Sequence, residues 1–352
     1  MIVPTAAPIR VLVTDDSFVA REMLSQILES DPAIEVVGVA SDGMEAVEKV
    51  ERLHPDLVTM DIHMPGMDGL IATERIMAYT PTPILVVSSS VHGEGMGRAF
   101  DALSAGALEV IKKPEPRDWA DLQRIGTEVI SKVKVLSRVK VITHITGRRS
   151  ERAERRPYAA GGQSGRSLVA IGSSTGGPSA LEKVLAALPS SFPAPVVVAQ
   201  HIAEGFIEGL VTWLSGVCPM RVKAAEDGEE LKRGTVYFAP TEYNLAIAGS
   251  HVVFSPRLPG QVYVPSVDVL FESAAASLGA GVVGVILTGM GADGARGLRR
   301  MRDDGAATIA QDEASSTVWG MPKAAVELGA AESVLALDAI AASLRELVVP
   351  AR

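Results

Sequence analysis

Three residues of this 352-residue sequence have the types and the placement that nucleophilic catalysis requires. Ser174 lies in residues 172–176 (GSSTG), which fit the G-x-S-x-G pattern that lifts a serine above a sheet edge where a strand turns into a helix. His201 and Asp293 each follow a later apolar run. His201 would take the proton of Ser174 and pass it to a leaving group. Asp293 would fix the imidazole tautomer and stabilise its charged form.

The GSSTG segment has other interpretations when it is taken alone. It could be a glycine loop that binds an anion, or simply a tight turn. Neither a Gly-Lys-Ser/Thr sequence nor a G-x-G-x-x-G pattern occurs there, which argues against nucleotide binding. The chain order serine, histidine, aspartate also differs from that of the α/β-hydrolases, so we expect similar chemistry on a different fold.

Two further segments bear on this chemistry. Asp268, in residues 265–268 (PSVD), is a rival for the role of the acid, although it equally suits the first turn of a helix. Residues 288–294 (TGMGADG) contain glycines that let backbone amides face a ligand, as the stabilisation of an oxyanion requires. The alternative interpretation of this second segment is a flexible loop between a strand and a helix.

A second group of reactive residues lies in the first third of the chain. Asp15, Asp16 and Asp61 follow predicted strands, and three carboxylates at one sheet edge form a site of hard oxygen ligands that suits Mg²⁺. Ser88 and Lys113 follow two other strands, and a hydroxyl and an ammonium group there could hold a phosphoryl group. One aspartate alone would be an ordinary turn or cap residue. The complete set at successive strand ends favours a functional site.

These side chains can meet only if the strands that precede them run parallel, because functional groups of such sheets gather at the carboxyl ends of the strands. In the first third, apolar runs predict strands at residues 10–14, 35–39, 56–60, 84–87 and 108–111. The second half is predicted to have strands at 168–171, 195–199 and 282–287, helices at 179–188 and 267–278, and an irregular β-rich stretch at 222–263. The helix after the second strand is predicted to bury Met44, Val47, Val50 and Leu53. The fold class is therefore α/β, with two doubly wound domains, mainly parallel sheets and a Rossmann-like second domain.

A change in composition indicates a basic linker between the two domains. Domains are expected at residues 9–115 and 167–352, joined by residues 116–166, which hold a helix at 118–134 and a turn-rich stretch. Residues 132–156 contain nine lysines and arginines but two glutamates, whereas the whole chain has a net charge of −9. This stretch is interpreted as a solvated linker, with docking onto an acidic partner as the alternative.

Composition also narrows the class of protein. The single cysteine, Cys218, excludes an intramolecular disulfide framework and favours a reducing cytoplasm. No secretion signal or apolar run long enough to span a bilayer is evident, so we expect no direct membrane insertion. The negative net charge argues against nucleic acid as a partner, and therefore against a transcription factor.

The first domain resembles the receiver domain of two-component response regulators over residues 9–115, and residues 60–69 (MDIHMPGMDG) are the most specific match. The resemblance implies that Asp61 accepts a phosphoryl group and that Asp15 and Asp16 help it hold Mg²⁺. It also implies that Ser88 senses the phosphoryl group and that Lys113 contacts it.

Two positions of this domain need comment. Lys112 rivals Lys113 on composition alone, but the family pattern places the lysine directly before a proline, here Pro114. The position that is aromatic in the family, three residues before the lysine, is Val110 in this sequence. The usual coupling from hydroxyl to aromatic ring is therefore not expected in its ordinary form.

The second domain resembles the chemotaxis methylesterase family, CheB. The segments that carry the resemblance are residues 171–177 (IGSSTGG), 200–201 (QH), 265–268 (PSVD), 288–294 (TGMGADG) and 320–322 (GMP). The resemblance implies that Ser174 is the nucleophile, His201 the base and Asp293 the third catalytic residue. It also implies that Thr175 borders the site and that the Met290 backbone lies beside the oxyanion.

The function implied is the hydrolysis of γ-glutamyl methyl esters on the cytoplasmic helices of chemoreceptors, with release of methanol and, in many members, deamidation of receptor glutamines. The chemotaxis histidine kinase would phosphorylate the receiver domain with Mg²⁺ as its cofactor and raise the activity, whereas ester hydrolysis needs no cofactor. The family also suggests that the receiver covers the Ser174 cleft until it is phosphorylated. The alternatives are a serine hydrolase that acts on a protein outside chemotaxis, and a non-catalytic receiver-linked regulator that only binds partners.

Overall fold

The computed structural model describes residues 7–89, 94–141 and 166–348. The chain divides into two compact units, Met1–Arg148 and Arg149–Arg352. Residues 142–165, which hold most of the predicted basic linker, lie outside the described residues. Among the helices of the described ranges, none is both long enough and apolar enough to cross a membrane.

The first unit is a parallel sheet with helices on its faces, as predicted. Its strands within the described ranges are β1 (Ile9–Thr14), β2 (Ile34–Ala40), β3 (Leu57–Met60), β4 (Ile84–Ser88) and β5 (Glu109–Lys112), in the order β2-β1-β3-β4-β5. Its helices are α1 (Phe18–Glu29), α2 (Gly43–Leu53), α3 (Gly69–Tyr79), α4 (Glu94–Ser104) and α5 (Trp119–Leu136). All neighbouring strands pair in parallel. The strand order reverses beside β1, so the crevice outside the ends of β1 and β3 is where such a sheet binds ligands.

Local sequence explains where these helices begin. Ser17, Asp42, Asp68 and Asp118 each accept a hydrogen bond from the backbone N–H three residues later, which satisfies an otherwise free donor of the first turn. The predicted cap at Ser17 and the predicted helix after Asp118 are thereby confirmed.

One predicted core residue of the first unit is wrong. Met44 is 48% exposed, whereas Val50 is buried as expected. Helix α2 buries Gly43 and Ala46 instead, because its first turn packs tightly on the loop that holds Met67. A Cβ atom at Gly43 would lie 2.6 Å from the backbone oxygen of Met67. Gly43 therefore lies on the packed side of the helix, and the next residue, Met44, lies on its exposed side.

The second unit contains a larger parallel sheet and a hairpin. Within the described residues the sheet has the order β14-β13-β12-β6-β7-β9-β8. Its strands are β6 (Leu168–Ser173), β7 (Val196–Gln200), β8 (Arg221–Ala224), β9 (Thr235–Phe238), β12 (Val282–Ile286), β13 (Ala307–Gln311) and β14 (Ser333–Leu335). Strands β10 (Asn244–Ala248) and β11 (His251–Ser255) form a separate antiparallel hairpin. The stretch predicted as irregular and β-rich therefore supplies two strands to the sheet and the hairpin beside it.

The helices of the second unit surround this sheet. They are α6 (Gly177–Ala186), α7 (Ile207–Val217), α8 (Val267–Leu278), α9 (Ala295–Asp303), α10 (Met321–Glu327) and α11 (Leu337–Leu347), with a short 3₁₀ turn at Gly279–Gly281. Apolar side chains of α8 and of the central strands, among them Phe271 and Val282, form one buried core. Strand β6 lies between β7 and β12, and both pairs are parallel. The strand order reverses at β6, so the carboxyl ends of β6, β7 and β12 share one edge, as the sequence predicts.

Candidate active site and candidate phosphorylation site

Ser174 occupies a tight turn between β6 and α6. Its backbone N–H donates to the Thr288 carbonyl at 3.0 Å, and its own carbonyl accepts from the N–H of Gly177 at 2.7 Å. Gly176 has φ +74°, and a Cβ atom there would lie 2.5 Å from the side chain of Thr317. Glycine is therefore required at this point of the turn. The serine is 8% exposed, at the carboxyl edge of the sheet.

His201 and Asp293 are in direct contact at the same edge. The Nε2 atom of His201 lies 2.9 Å from Oδ2 of Asp293, and both side chains are less than a tenth exposed. The Nδ1 atom of His201 is buried and has no hydrogen-bond partner among the described residues. The structure shows no hydrogen bond between Ser174 Oγ and His201. An imidazole anchored through one nitrogen and free at the other has the arrangement that a general base needs.

Asp293 is held at the amino-terminal end of α8. Its carboxylate accepts hydrogen bonds from the Ser266 hydroxyl at 3.0 Å, the Val267 N–H at 2.8 Å and the Asp268 N–H at 3.1 Å. Burial alone would raise the pKa of Asp293. The hydrogen bond and charge of His201, together with these backbone donors, outweigh burial and lower the pKa below its ordinary value. A helix amino terminus favours an anion, so this carboxylate stays charged.

The rival acid has a different role in the structure. Asp268 accepts from the N–H of Gly297 at 2.7 Å and pairs with Arg296 at 3.1 Å, so it joins α8 to α9. Burial raises its pKa. Of the two aspartates, Asp293 is the one that contacts His201.

The glycine-rich loop and Thr175 close around the serine. The Thr288 hydroxyl donates to the Thr175 carbonyl at 2.9 Å, so Thr175 borders the Ser174 turn. A Cβ atom at Gly289 would lie 2.7 Å from the Ser174 Cβ, which places the loop backbone directly against the serine. Neither the N–H of Thr175 nor that of Met290 has a hydrogen-bond partner in the described part of the chain. Two free backbone donors beside a serine of this kind could stabilise an oxyanion.

Gln200 takes part in the site in a way that the sequence analysis did not identify. Its buried side-chain amide donates to the carbonyls of Ser174 at 2.9 Å and His201 at 2.8 Å. Its oxygen accepts from the Ser173 hydroxyl at 2.6 Å. One side chain thus joins the serine turn to the start of the histidine loop. In the sequence the Gln-His pair is recognisable only as part of a family motif, and no sequence signal gives the direction of the glutamine side chain.

Tyr263 is a second residue that the sequence analysis missed. Its ring stacks on the imidazole of His201, with centroids 4.4 Å apart and planes inclined by 8°. It lies in the irregular loop between β11 and α8, where no periodic pattern marks one side chain as buried. An aromatic residue two positions before the PSVD motif was the available signal.

The carboxylates of the first unit meet as predicted. One oxygen from each of Asp15, Asp16 and Asp61 lies within 4.8 Å of the other two. The Nζ atom of Lys113 lies 2.7 Å from Asp15 and 2.9 Å from Asp61. This cluster of acidic oxygens with an ammonium group is compatible with Mg²⁺ and a phosphoryl group.

Burial and the contacts within this cluster shift the pKa values of its charged groups. Burial raises the pKa of Asp61, and repulsion from Asp15 adds to the increase, against the opposing effect of Lys113. Burial would lower the pKa of Lys113, but its hydrogen bonds to the two aspartates outweigh burial and raise it. Each charged group therefore depends on the others.

The remaining predicted residues of the first unit also have defined positions. Ser88 is fully buried at the end of β4, and its carbonyl accepts from the N–H of Lys113 at 2.9 Å. Lys112 is exposed, so Lys113 is the lysine that reaches the carboxylates. Val110 is buried within β5, opposite Val86 of β4.

The fold and the two sites define a response regulator whose second unit has a hydrolase-like site. Residues 11–122 match the model for the response regulator receiver domain, and residues 169–344 match the model for the CheB methylesterase. The chain belongs to the CheB methylesterase family.

Relatives and a solved structure agree with this assignment. A protein-glutamate methylesterase/protein-glutamine glutaminase of Anaeromyxobacter dehalogenans is 47% identical over 340 residues, which cover 97% of each chain. A protein of Geobacter metallireducens with the same activities in its name is 42% identical over 342 residues, 96% of this chain and 99% of that one. The crystal structure of the Thermotoga maritima CheB methylesterase catalytic domain is 40% identical, with a TM-score of 0.50, and the match covers 53% of this chain and all of that one.

Proposed function

We propose that the protein is a phosphorylation-activated methylesterase that hydrolyses γ-glutamyl methyl esters on the cytoplasmic helices of chemoreceptors and releases methanol. The observation that carries this proposal is the buried His201–Asp293 pair, whose free imidazole nitrogen lies at the same sheet edge as Ser174. The names of the relatives, which specify protein-glutamate methylesterase activity, support the substrate class.

The proposed reaction begins with attack of the Ser174 hydroxyl oxygen on the ester carbonyl carbon. Nδ1 of His201 takes the hydroxyl proton, and the Asp293 carboxylate stabilises the resulting imidazolium. The N–H groups of Thr175 and Met290 donate to the oxyanion. Methanol leaves with the proton from His201, and water then hydrolyses the acyl-enzyme by the same route to give the glutamate carboxylate. This hydrolysis needs no cofactor.

The same residues would also deamidate receptor glutamines. A glutamine side chain presents the same carbonyl geometry as the methyl ester, and protonation by His201 would release ammonia in place of methanol. The second activity in the names of the relatives supports this extension.

Control of the reaction is assigned to the first unit. We propose that residues 9–115 form the receiver, that residues 116–166 connect it, and that residues 167–352 form the catalytic domain. Asp61 accepts the phosphoryl group from the chemotaxis histidine kinase, Lys113 contacts it and Ser88 senses it. Bound by Asp15, Asp16 and Asp61, Mg²⁺ would neutralise charge as the phosphoryl group approaches. The charge of the phosphoryl group shifts an equilibrium between two conformational states of the protein. The size of the shift is limited by how differently the phosphoryl group interacts with the two states.

The proposed place of action is the cytoplasm, where the kinase and the receptor helices meet. The test mixes the full chain with membranes that contain methylated receptors, with and without a small-molecule phosphodonor, and measures methanol. Release that is stimulated by the donor and absent in Ser174→Ala supports the proposal. Esterase activity on a small ester without release from receptors would favour a substrate outside chemotaxis. No hydrolysis of either substrate would favour the non-catalytic regulator.

A further inference from the structure

We propose that Tyr263 is a positioning residue that holds the His201 imidazole in the plane from which Nδ1 can accept the proton of Ser174. This inference rests on the proposed function, because it assigns a role in the same site. Tyr263 has no acid–base part in the proposed reaction and acts through His201.

The need for such a residue follows from the hydrogen bonds of the imidazole. The His201 side chain makes one hydrogen bond among the described residues, from Nε2 to Asp293 at 2.9 Å. The ring is tethered covalently at Cγ and held at Nε2 by this hydrogen bond, so it can still turn about the axis that joins these two atoms. Nδ1 has no partner among the described residues that could supply the second restraint.

The Tyr263 ring supplies that second restraint. It lies against the imidazole with centroids 4.4 Å apart and planes within 8° of parallel. A ring in this position blocks rotation of the imidazole out of its plane, because rotation would drive the two rings together. Stacked aromatic pairs also attract each other, and an imidazolium gains further from the face of an aromatic ring. These attractions keep the imidazole against the Tyr263 ring while Ser174 attacks.

Tyr263 lies in a loop that hydrogen bonds hold on both sides of it. The buried Asn244 exchanges two side-chain hydrogen bonds with Gln261, at 3.0 and 2.7 Å. The Asn244 oxygen also accepts from the N–H of Ser266 at 3.0 Å. The loop is thus fixed two residues before Tyr263 and three residues after it.

This segment also supports Asp293. Ser266 donates its hydroxyl to Asp293, and the next two backbone N–H groups do the same. One continuous segment, residues 261–268, therefore fixes both the ring plane of His201 and the carboxylate that anchors its Nε2. The Tyr263 hydroxyl also lies close to the glycine-rich loop, since a Cβ atom at Gly291 would be 3.3 Å from it.

The chain offers a matched control in Tyr243. This tyrosine also stacks on an aromatic ring, Phe254, with centroids 5.9 Å apart, but it is 47% exposed and does not contact His201. Replacing it removes a stacked tyrosine from the same region of the unit without touching the imidazole.

The experiment compares Tyr263→Leu, Tyr263→Phe and Tyr243→Leu in the full chain with phosphodonor, using methylated receptor membranes. We expect kcat to fall about ten- to a hundred-fold in Tyr263→Leu with KM within about two-fold, because a misplaced base slows the chemical step. Tyr263→Phe should restore most of the rate, and Tyr243→Leu should match the wild type. Thermal denaturation checks folding, and Tyr263→Met serves as the ring-less variant if the leucine variant does not fold.

A second readout does not depend on esterase activity. Ring ¹⁵N spectra of the histidines, recorded about two pH units above the ordinary histidine pKa, report which ring nitrogen carries the proton. In the wild type, His201 should show one tautomer with the proton on Nε2, and in Tyr263→Leu this signal should average or broaden. Unchanged spectra and unchanged kcat in the leucine variant would overturn the positioning role. An inactive wild type with the expected spectra would instead count against the proposed function alone.

Discussion

The imidazole of His201 meets the carboxylate of Asp293 through Nε2, at 2.9 Å, and leaves Nδ1 as the nitrogen without a partner. In the serine protease arrangement the carboxylate holds Nδ1 and the serine faces Nε2. In this protein the carboxylate instead meets Nε2. Under the proposed mechanism the proton of Ser174 goes to Nδ1, and Asp293 holds the tautomer with the proton on Nε2.

Replacement of Asp293 tests the tautomer directly. Asp293→Asn should lower kcat by on the order of 10⁴-fold, because an amide does not enforce the Nε2–H tautomer or stabilise an imidazolium. Asp268→Asn is the control, since this neighbouring, partly buried aspartate contacts Gly297 and Arg296 but not His201. Steady-state hydrolysis of the methylated receptor measures both. Equal loss in the two variants would contradict the assignment of Asp293.

Replacement of the nucleophile should separate activity from folding. Ser174→Ala should abolish hydrolysis, with a loss on the order of 10⁴-fold or more, and leave the melting temperature nearly unchanged. The reason is that the Ser174 hydroxyl makes no hydrogen bond with the described residues, whereas its backbone contacts to Thr288 and Gly177 remain. Substantial turnover by the purified variant would disprove the assignment.

The link between the serine turn and the histidine can be broken without changing either residue. An ideal Cβ atom at Gly177 would lie 2.0 Å from the Gln200 side-chain oxygen, so Gly177→Ala must displace Gln200. We expect an activity loss of about a hundred-fold and a destabilisation of about 1–3 kcal/mol. Gly216→Ala is the control, because nothing lies within 4 Å of a Cβ atom in that helix. It should gain about 0.5–1 kcal/mol in urea denaturation and keep full activity.

Phosphorylation should depend on the carboxylate cluster. The full chain should take up label from a small-molecule phosphodonor with Mg²⁺, and Asp61→Asn should not. Lys113→Met should lose the stimulation of methanol release, because Lys113 lies 2.9 Å from Asp61 and would contact the phosphoryl group. Lys112→Met, which changes the exposed neighbour, should behave as the wild type. Labelling that persists in Asp61→Asn or in the presence of a chelator would refute the phosphosite.

The raised pKa of Asp61 predicts the sign of a stability effect. Burial favours the protonated form of Asp61 in the folded chain, so its contribution to stability is full at low pH and is lost as pH rises through the raised pKa. At neutral pH the charged carboxylate therefore weakens the fold. Asp61→Asn should raise the free energy of unfolding of the first unit at pH 7 without Mg²⁺. The gain should vanish toward acidic pH, and a destabilised variant at pH 7 would contradict the prediction.

The strand pattern predicted most of the architecture because buried parallel strands leave a strong signal in sequence. Alternation of apolar runs and helical segments placed Asp61 and Ser174 at strand ends, and the parallel pairing of β6 with β7 and β12 then brought His201 and Asp293 to the same edge. The rule about strand ends needs no knowledge of side-chain direction, so the location of the site could be predicted.

Contacts that depend on the direction of individual side chains could not be predicted from the strand pattern. Tyr263 and Gln200 act through the orientation of single side chains in a loop and at a strand end, where no period constrains them. Helical spacing predicts Met44 in the core, but α2 packs Gly43 against the Met67 backbone and leaves Met44 exposed. In each case the position of the side chain depends on a residue that is distant in the sequence.

The position of β12 beside the central strand β6 of the second sheet has a consequence for biosynthesis. Leu168 of β6 pairs with Val282 of β12, so two neighbouring strands at the site are 114 residues apart in the sequence. A ribosome that makes the chain from its amino terminus releases Ser174 and His201 long before the strand that leads to Asp293. Such long-range pairings form late in folding. A nascent or truncated chain that lacks β12 therefore carries Ser174 and His201 without Asp293, and we expect it to be inactive toward esters until the domain is complete.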